Sequence, residues 1–369
     1  MLDNSVQFIV LFLLAGFLSV LFTVLVKRMA LRWQIIDQPT SSRKIHRRPM
    51  PLLGGLAIFL AFAVAILLYL LWSDSYFTGY MMPKHIIGIL LGGLILMIGG
   101  ALDDKYDLSP SKLIIWPVMA SVVIIISGVG IDFISNPFGE APRLDIINIE
   151  VFSWQGVPYF FTPLADLFTL LWILGMIYTT KLLDGLDGLV SGITVIGALV
   201  LFFLSLAPGV VQPETALLCI ILAGAAAGFL LLNFYPAKIF LGEAGSTFTG
   251  FMLGTLAIIS GGKIATALLI IGIPILDVGW VIARRLWYRK SPFKSADRKH
   301  LHFRLLDIGF SHREAVLFLY VISAVFGSAA LMVEGKYKFI ILLALFAFMF
   351  VLGIFLVVKS REKKAKARS

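Results

Sequence analysis

Residues 163–189 read Pro163-Leu-Ala-Asp-Leu-Phe-Thr-Leu-Leu-Trp-Ile-Leu-Gly-Met-Ile-Tyr-Thr-Thr-Lys-Leu-Leu-Asp-Gly-Leu-Asp-Gly-Leu189. The run up to Leu183 is long and apolar enough to cross a ~30 Å hydrocarbon core as a helix. It ends in two Asp-Gly pairs, Asp184-Gly185 and Asp187-Gly188, and a second apolar run starts at once. Two carboxylates between glycines therefore stand at a membrane surface. Helical spacing would put both acids on one face, and the glycines permit a tight break and close approach of a ligand to backbone. The plainer reading is a glycine-terminated helix with an incidental acid. Two Asp-Gly pairs in five residues are more than a cap needs.

Stretches of this kind recur along all 369 residues, of which 59% are hydrophobic and 14% charged; the mean hydropathy is +0.97. That composition excludes a soluble globular protein and predicts an all-α, polytopic integral membrane protein. Eleven spans are expected, at 6–26, 53–72, 85–102, 112–129, 163–183, 189–207, 214–232, 245–261, 264–283, 313–333 and 338–358. They leave no room for a soluble domain, so 1–358 reads as one transmembrane domain and 359–369 as a basic cytoplasmic tail meeting anionic lipid. The first stretch lacks a basic leader and a small-residue cleavage site, so it reads as a retained helix. Cys219, the single cysteine, lies in an apolar run and says nothing about redox compartment.

The net charge of +10 does not point to nucleic acid, because the basic residues flank the spans. With the N-terminus outside, the inner segments hold 25 of the 31 Lys and Arg and the outer segments hold 5. The positive-inside rule then fixes the N-terminus outside and the C-terminus in the cytoplasm. Ser109-Pro110 and Thr162-Pro163 look like an N-cap followed by an N1 proline. Ser311-His-Arg-Glu314 fits a capping box. Alternation around Ile147, Ile149 and Val151 allows a short outer hairpin.

Under that topology Asp103, Asp104, Asp107, Asp184, Asp187, Glu243, Asp297, His300 and His302 all fall on the cytoplasmic side, beside loops rich in Lys and Arg. Carboxylates that hold a hard cation, with basic side chains for leftover phosphate charge, suit a Mg²⁺-dependent reaction of phosphate esters. Each cluster also has a plain reading. Asp103-Asp104-Lys-Tyr-Asp107 is otherwise a solvated helix exit, although adjacent acids repel and a cation relieves this. Asn233-Phe-Tyr-Pro-Ala-Lys238-Ile-Phe240-Leu-Gly242-Glu243 is otherwise a helix entry with a Glu suited to the dipole, and its backbone N–H groups can also receive phosphate oxygens. Asp297-Arg-Lys-His300-Leu-His302-Phe-Arg304 is a solvated basic loop or a phosphate and sugar contact. Two histidines without a cysteine do not make a zinc site, and at i, i+2 they would not share a helix face. Positive-inside charge explains Arg43, Lys44, His46, Arg47 and Arg48, but not why Pro49, Pro51, Gly54 and Gly55 follow so closely. Lys181 is expected to pair with Asp184 at i, i+3 or to meet substrate phosphate. Asp277, inside the ninth span, must face the bundle or a cavity.

Taken together, five stretches resemble the polyprenyl-phosphate N-acetylhexosamine-1-phosphate transferase family. They are Arg43-Lys44-x-His46-x-x-Pro49-x-Pro51-x-x-Gly54-Gly55, Asp103-Asp104 with Leu108-Ser109-Pro110, the 183–189 motif, Asn233-Phe-x-Pro-Ala-Lys238-Ile-Phe240, and Asp297-Arg-Lys-His300-Leu-His302. Each is modest alone; five in order on one membrane side are strong. The His-Leu-His pattern and the eleven spans look more like the bacterial GlcNAc-1-phosphate branch than the phospho-MurNAc-pentapeptide transferases of peptidoglycan synthesis.

The resemblance implies transfer of N-acetylhexosamine-1-phosphate, GlcNAc-1-phosphate first, from a UDP-sugar to undecaprenyl phosphate with release of UMP. It implies Mg²⁺ (Mn²⁺ as substitute), a multi-pass protein of the bacterial cytoplasmic membrane with a cytoplasmic active site, and a homodimer. By likeness, Asp103 and Asp104 fall at the catalytic pair near metal and lipid phosphate, and Glu243 at the metal ligand, with Asp104 beside it. Asp184 and Asp187 line the nucleotide pocket, with Asn233 and Phe240 nearby; Asp187, His300 and His302 count among the catalytic residues, and the two histidines contact the donor phosphates or sugar. Lys44, His46, Lys181 and Arg304 fall among the substrate contacts. Three positions depart from the family pattern: Lys181 for Asn, Glu243 for Asp, and Phe303 for a further His. They leave room for an inactive regulatory homologue. A transporter is disfavoured, because only Asp277 is deep in a span and no internal repeat is visible.

Overall fold

The computed structural model describes residues 4–39, 48–73, 81–134, 136, 138–154, 157–261, 268, 269, 272, 275–277, 279, 300–333 and 335–366. Among them are twelve helices: α1 Asn4–Arg32, α2 Gly54–Trp72, α3 Pro83–Tyr106, α4 Pro110–Leu113, α5 Ile115–Ile126, α6 Pro163–Leu183, α7 Leu189–Leu206, α8 Pro213–Asn233, α9 Gly242–Ile259, α10 Leu301–Ile308, α11 His312–Met332 and α12 Lys336–Lys366. Eight of these (α1, α2, α3, α6, α7, α8, α11 and α12) are long and apolar enough to cross a membrane, and α4–α5 form a shorter apolar unit. The chain is a polytopic membrane protein. Most of the expected ninth span, 264–283, lies outside the described residues.

Local signals account for many boundaries. Proline stands at the first turn of α3, α4, α6 and α8, where its missing N–H is no loss. At α6 the cap runs in reverse: the Asp166 carboxylate accepts from both the backbone N–H and the hydroxyl of Thr162. The box at α11 forms as expected. Glu314 N–H donates to Ser311 Oγ at 3.3 Å, and Ser311 N–H donates to Glu314 Oε2 at 2.7 Å. The hairpin expected around Ile147–Val151 also forms, from antiparallel β3 (Ile149–Trp154) and β4 (Val157–Phe161). A second pairing was not foreseen: β1 (Ile36–Asp37) pairs with β2 (Met50–Pro51) on either side of the basic stretch.

The element that organises the interior is α9. Every residue of it is buried except Glu243. Its first turn is wedged between α2 and α3 at backbone distance. A methyl group on Gly55 would collide with the backbone of Ala244 and Gly245, and one on Gly100 with Ala244. Backbone bonds lock the wedge: Phe240 N–H to Pro51 O (2.9 Å), Gly54 N–H to Phe240 O (3.0 Å) and Gly55 N–H to Leu241 O (2.8 Å). This is why Pro51 and Gly54-Gly55 follow the basic loop so closely. An extended strand receives Phe240, and side-chain-free positions receive α9. On the other side Thr180 Oγ1 of α6 donates to Ser246 O at 2.7 Å, and Trp172 Nε1 donates to Gly254 O at 3.1 Å.

Candidate active site

The wedge brings three helix ends together. Asp103 and Asp104 sit in the last turn of α3, Glu243 in the first turn of α9, and Lys181 in the last turn of α6, followed by Asp184. Asp103 Oδ1 accepts from Leu108 N–H at 2.9 Å, which holds the exit from α3. Asp104 Oδ1 accepts from Glu243 N–H at 2.9 Å, so it caps α9 across 139 residues of sequence. Its Oδ2 is buried with no hydrogen-bond partner among the described residues. A buried acceptor left open this way is costly unless something fills it. Asp104 is in Coulombic reach of Glu243, Asp103 and Asp184.

Lys181 does not pair with Asp184. Its Nζ meets Glu243 Oε1 at 2.6 Å. The physical reason is that α9 brings the Glu243 carboxylate to the end of α6, against the ammonium. The chain leaves the helix after Asp184 (φ −72°, ψ 61°), which corrects the expectation that Asp184 and Asp187 share a helix face. Asp184 is exposed, yet surrounded by enough protein, with Glu243 and Asp187 near, to raise its carboxyl to about 7. Asp187 turns the other way, and its Oδ2 accepts from Ala237 N–H at 3.0 Å.

Asn233 braces this arrangement instead of facing the cleft. It is 4% exposed; Oδ1 accepts from Gly188 N–H (3.1 Å) and Ser191 Oγ (2.8 Å), and Nδ2 donates to Ile239 O (3.0 Å). Those bonds hold the 184–188 turn against the 234–240 loop, so its expected substrate contact is revised to a bracing one. Phe240 is half-buried and acts through the backbone bonds to Pro51 and Gly54.

The histidines stand beside the turn. His300 is the extended N-cap of α10, and its Nδ1 lies 2.9 Å from Asp277 Oδ2; Leu301 N–H donates to Asp277 Oδ1 at 2.8 Å. Asp277 thus holds both the ring and the helix start. Because His300 is extended and not helical, its ring stacks on that of His302 at 5.8 Å and 4°, contrary to the expectation for i, i+2. His302 is 1% exposed, and neither ring nitrogen has a hydrogen-bond partner among the described residues. Burial, then His300 and His312, lowers it to about 3, so it is a neutral imidazole. A side chain on Gly185 would strike His302 Nε2, which puts this ring against the first Asp-Gly pair.

His312 was missed by the sequence reading, where it counted only as part of a capping box. Its ring stacks on Tyr235 at 4.3 Å and is turned toward the backbone and carboxylate of Asp187. Arg304 lines a separate cavity of about 230 Å³ with Asp277, Leu301 and Phe346. A larger cavity of about 650 Å³ lies between α1, α7 and α8, is lined by Phe8, Phe12 and Phe202, and contains none of the polar residues above. Its lining offers no chemistry, so the acid cluster is the better candidate. Lys44, His46 and Asp297 lie outside the described residues. Among the described residues no three His, Cys, Asp or Glu side chains stand close enough to hold a metal by themselves.

Residues 86–261 match the model of glycosyl transferase family 4. A probable undecaprenyl-phosphate N-acetylglucosaminyl 1-phosphate transferase of Bacillus subtilis is 33% identical over 342 residues, 91% of this chain and 87% of the relative. The chain belongs to glycosyl transferase family 4, the polyprenyl-phosphate hexosamine-1-phosphate transferases. A decaprenyl-phosphate N-acetylglucosaminephosphotransferase of Mycolicibacterium smegmatis is 32% identical over 337 residues, 84% of this chain and 78% of the relative. An undecaprenyl-phosphate alpha-N-acetylglucosaminyl 1-phosphate transferase of Yersinia pestis is 27% identical over 366 residues, 95% and 91%. Within this family 4 chain, two of the three departures from the family pattern, Lys181 and Glu243, are the two ends of one ion pair.

Proposed function

We propose that the chain transfers GlcNAc-1-phosphate from UDP-GlcNAc to undecaprenyl phosphate, releasing UMP, as the first lipid-linked step of a cell-envelope glycopolymer. The names of its relatives support this choice of donor and of a polyprenyl acceptor. The observation that carries the reading is the acid cluster of Asp103, Asp104, Asp184 and Glu243 at three helix ends, with the buried, open Oδ2 of Asp104 inside it. The topology that suits it is eleven spans with the N-terminus outside, in a bacterial cytoplasmic membrane, so that the cluster faces the cytoplasm and the nucleotide sugar; 25 of 31 basic residues favour that sense. Residues 1–358 then form one catalytic membrane domain. The basic tail after them continues α12 as far as Lys366. The homodimer rests on the resemblance alone.

The chemistry of the donors suits Mg²⁺: they are carboxylate oxygens, and because no three of them converge on one point among the described residues, most of the shell would come from substrate phosphates and water. Glu243, through the oxygen that Lys181 leaves free, and Asp104 would hold it, with Asp103 and Asp184 adding negative charge nearby. A cation bound there would screen the diphosphate and polarise its phosphorus–oxygen bonds. In the transfer, an oxygen of the lipid phosphate bonds to the sugar-linked phosphorus, while the bond from that phosphorus to the UMP oxygen breaks. A phosphate monoester is largely ionised at neutral pH (second pKa about 6), so no base is required of Asp103. Lys181 offsets acid charge as two anions approach. His302, neutral and packed against Gly185, backs the first Asp-Gly pair of the turn that would meet the donor. Asp187, Asn233 and Phe240 keep the turn and loop in register for the nucleotide.

The test is incubation of purified protein with Mg²⁺, undecaprenyl phosphate and a panel of UDP-sugars. UMP release should be fastest with UDP-GlcNAc. Release only with UDP-MurNAc-pentapeptide would move the protein to the peptidoglycan branch, and no release with any donor would overturn the enzyme reading.

A further inference from the structure

Lys181 and Glu243 belong to different helices, 62 residues apart, yet their side chains meet at 2.6 Å. Both are largely enclosed, with 26% and 12% of the side chain exposed. The Lys181 ammonium also lies 5.8 Å from the Tyr178 ring centroid, one turn back on α6, and in Coulombic reach of Asp103. It therefore bears on Glu243 and Asp103, the two acids that in turn crowd Asp104, and a positive charge there relieves part of their repulsion. The family pattern has a neutral amide at the first position and a shorter acid at the second, so it has no fixed positive charge at this point. The extra methylene of Glu243 gives the acid the reach to meet the lysine. The two departures are one exchange.

We infer that Lys181 is a positioning residue, a resident counter-cation that takes one oxygen of Glu243 and so sets how tightly the acid cluster binds a divalent cation before substrate arrives. This rests on the reading of the cluster as a cation and diphosphate site. With Oε1 engaged, Glu243 offers a single oxygen to a metal. The metal-free cluster is already partly neutralised and tolerates emptiness. Divalent cations alone bind weakly, and tight binding waits for the diphosphate oxygens that complete the shell.

The experiment measures Mn²⁺ binding to the purified full-length protein, without UDP-sugar or lipid, from the loss of the free Mn²⁺ resonance, together with thermal unfolding with and without the metal. Lys181→Gln should bind Mn²⁺ at least about tenfold more tightly than native protein, because a nearby positive charge has been removed. It should also unfold at lower temperature without metal and recover when Mn²⁺ is added. Lys181→Arg should behave as native. A lysine that serves only packing gives the opposite signature, with lower affinity and no recovery by metal. Affinity of Lys181→Gln that is lower, or less than about tenfold tighter than native, overturns the proposal. If that variant does not survive purification, the double variant Lys181→Asn/Glu243→Asp decides: tighter binding supports the proposal and unchanged or weaker binding overturns it. No substrate is present, so a failure here is distinct from a failure of UMP release.

Discussion

Asp104 carries two jobs on two oxygens. Oδ1 caps α9 through Glu243 N–H, and Oδ2 is open. Asp104→Asn retains an acceptor for the cap but removes the charge, so it should leave the unfolding midpoint near native while lowering UMP release on the order of 100-fold or more. Near-native turnover would remove Asp104 from the chemistry. Asn233→Ala is expected to do the reverse. It strands Gly188 N–H and Ile239 C=O, and should cost about 2–4 kcal/mol of stability, measurable by denaturation in detergent. Asp184 gives a pH signature. Its carboxyl is raised to about 7 by enclosure and by Glu243 and Asp187. A carboxyl raised in the fold binds its proton more tightly folded than unfolded. Ionising it therefore costs no stability below its ordinary value of about 4, costs more across the interval up to the raised value, and costs fully above that. Asp184→Asn removes this cost, so its gain in midpoint over native, metal-free protein should be larger at about pH 8.5 than at about pH 5.5. Equal gains at both would show that ionisation of Asp184 is not disfavoured. At this scale the sequence singled out the acids that the fold gathers but not their partners. The i, i+3 rule pointed Lys181 at Asp184, and only the approach of α9 redirects it to Glu243. His312 stayed hidden because its stacking partner, Tyr235, is remote in sequence.

Among the elements, α9 decides the site. The span pattern, N1 prolines and the capping box were readable because each is set by neighbours within four residues. The wedge of α9 between α2 and α3 was not, because it depends on two backbones meeting where glycines leave space. Pro51 and Gly54-Gly55 showed as an oddity without a cause until Phe240 and Leu241 were seen to bond there. Gly100→Ala should force α3 from Ala244, at a cost of about 1–3 kcal/mol, and should separate Asp104 from Glu243, so stability and UMP release fall together. Full activity with unchanged stability would mean that the close approach does not matter.

For the whole molecule, the membrane class and the gathering of acids at one end follow from composition and span order, whereas the sense of insertion rests on charge. The buried Cys219, the chain's single cysteine, provides a quiet background for labelling. Ser5→Cys should react with an impermeant maleimide in intact cells, and Ser369→Cys only after permeabilisation; the reverse would invert the topology. The central claim, transfer of a sugar-linked phosphate to a lipid phosphate by the acid cluster, is tested most directly by following label from the sugar-linked phosphorus of UDP-GlcNAc into the lipid fraction, with native protein and Asp104→Asn side by side. The account expects label to enter lipid in step with UMP release for the native protein and to stay in the aqueous phase for the variant. Label that never reaches lipid with native protein, or reaches it equally with both, would contradict it.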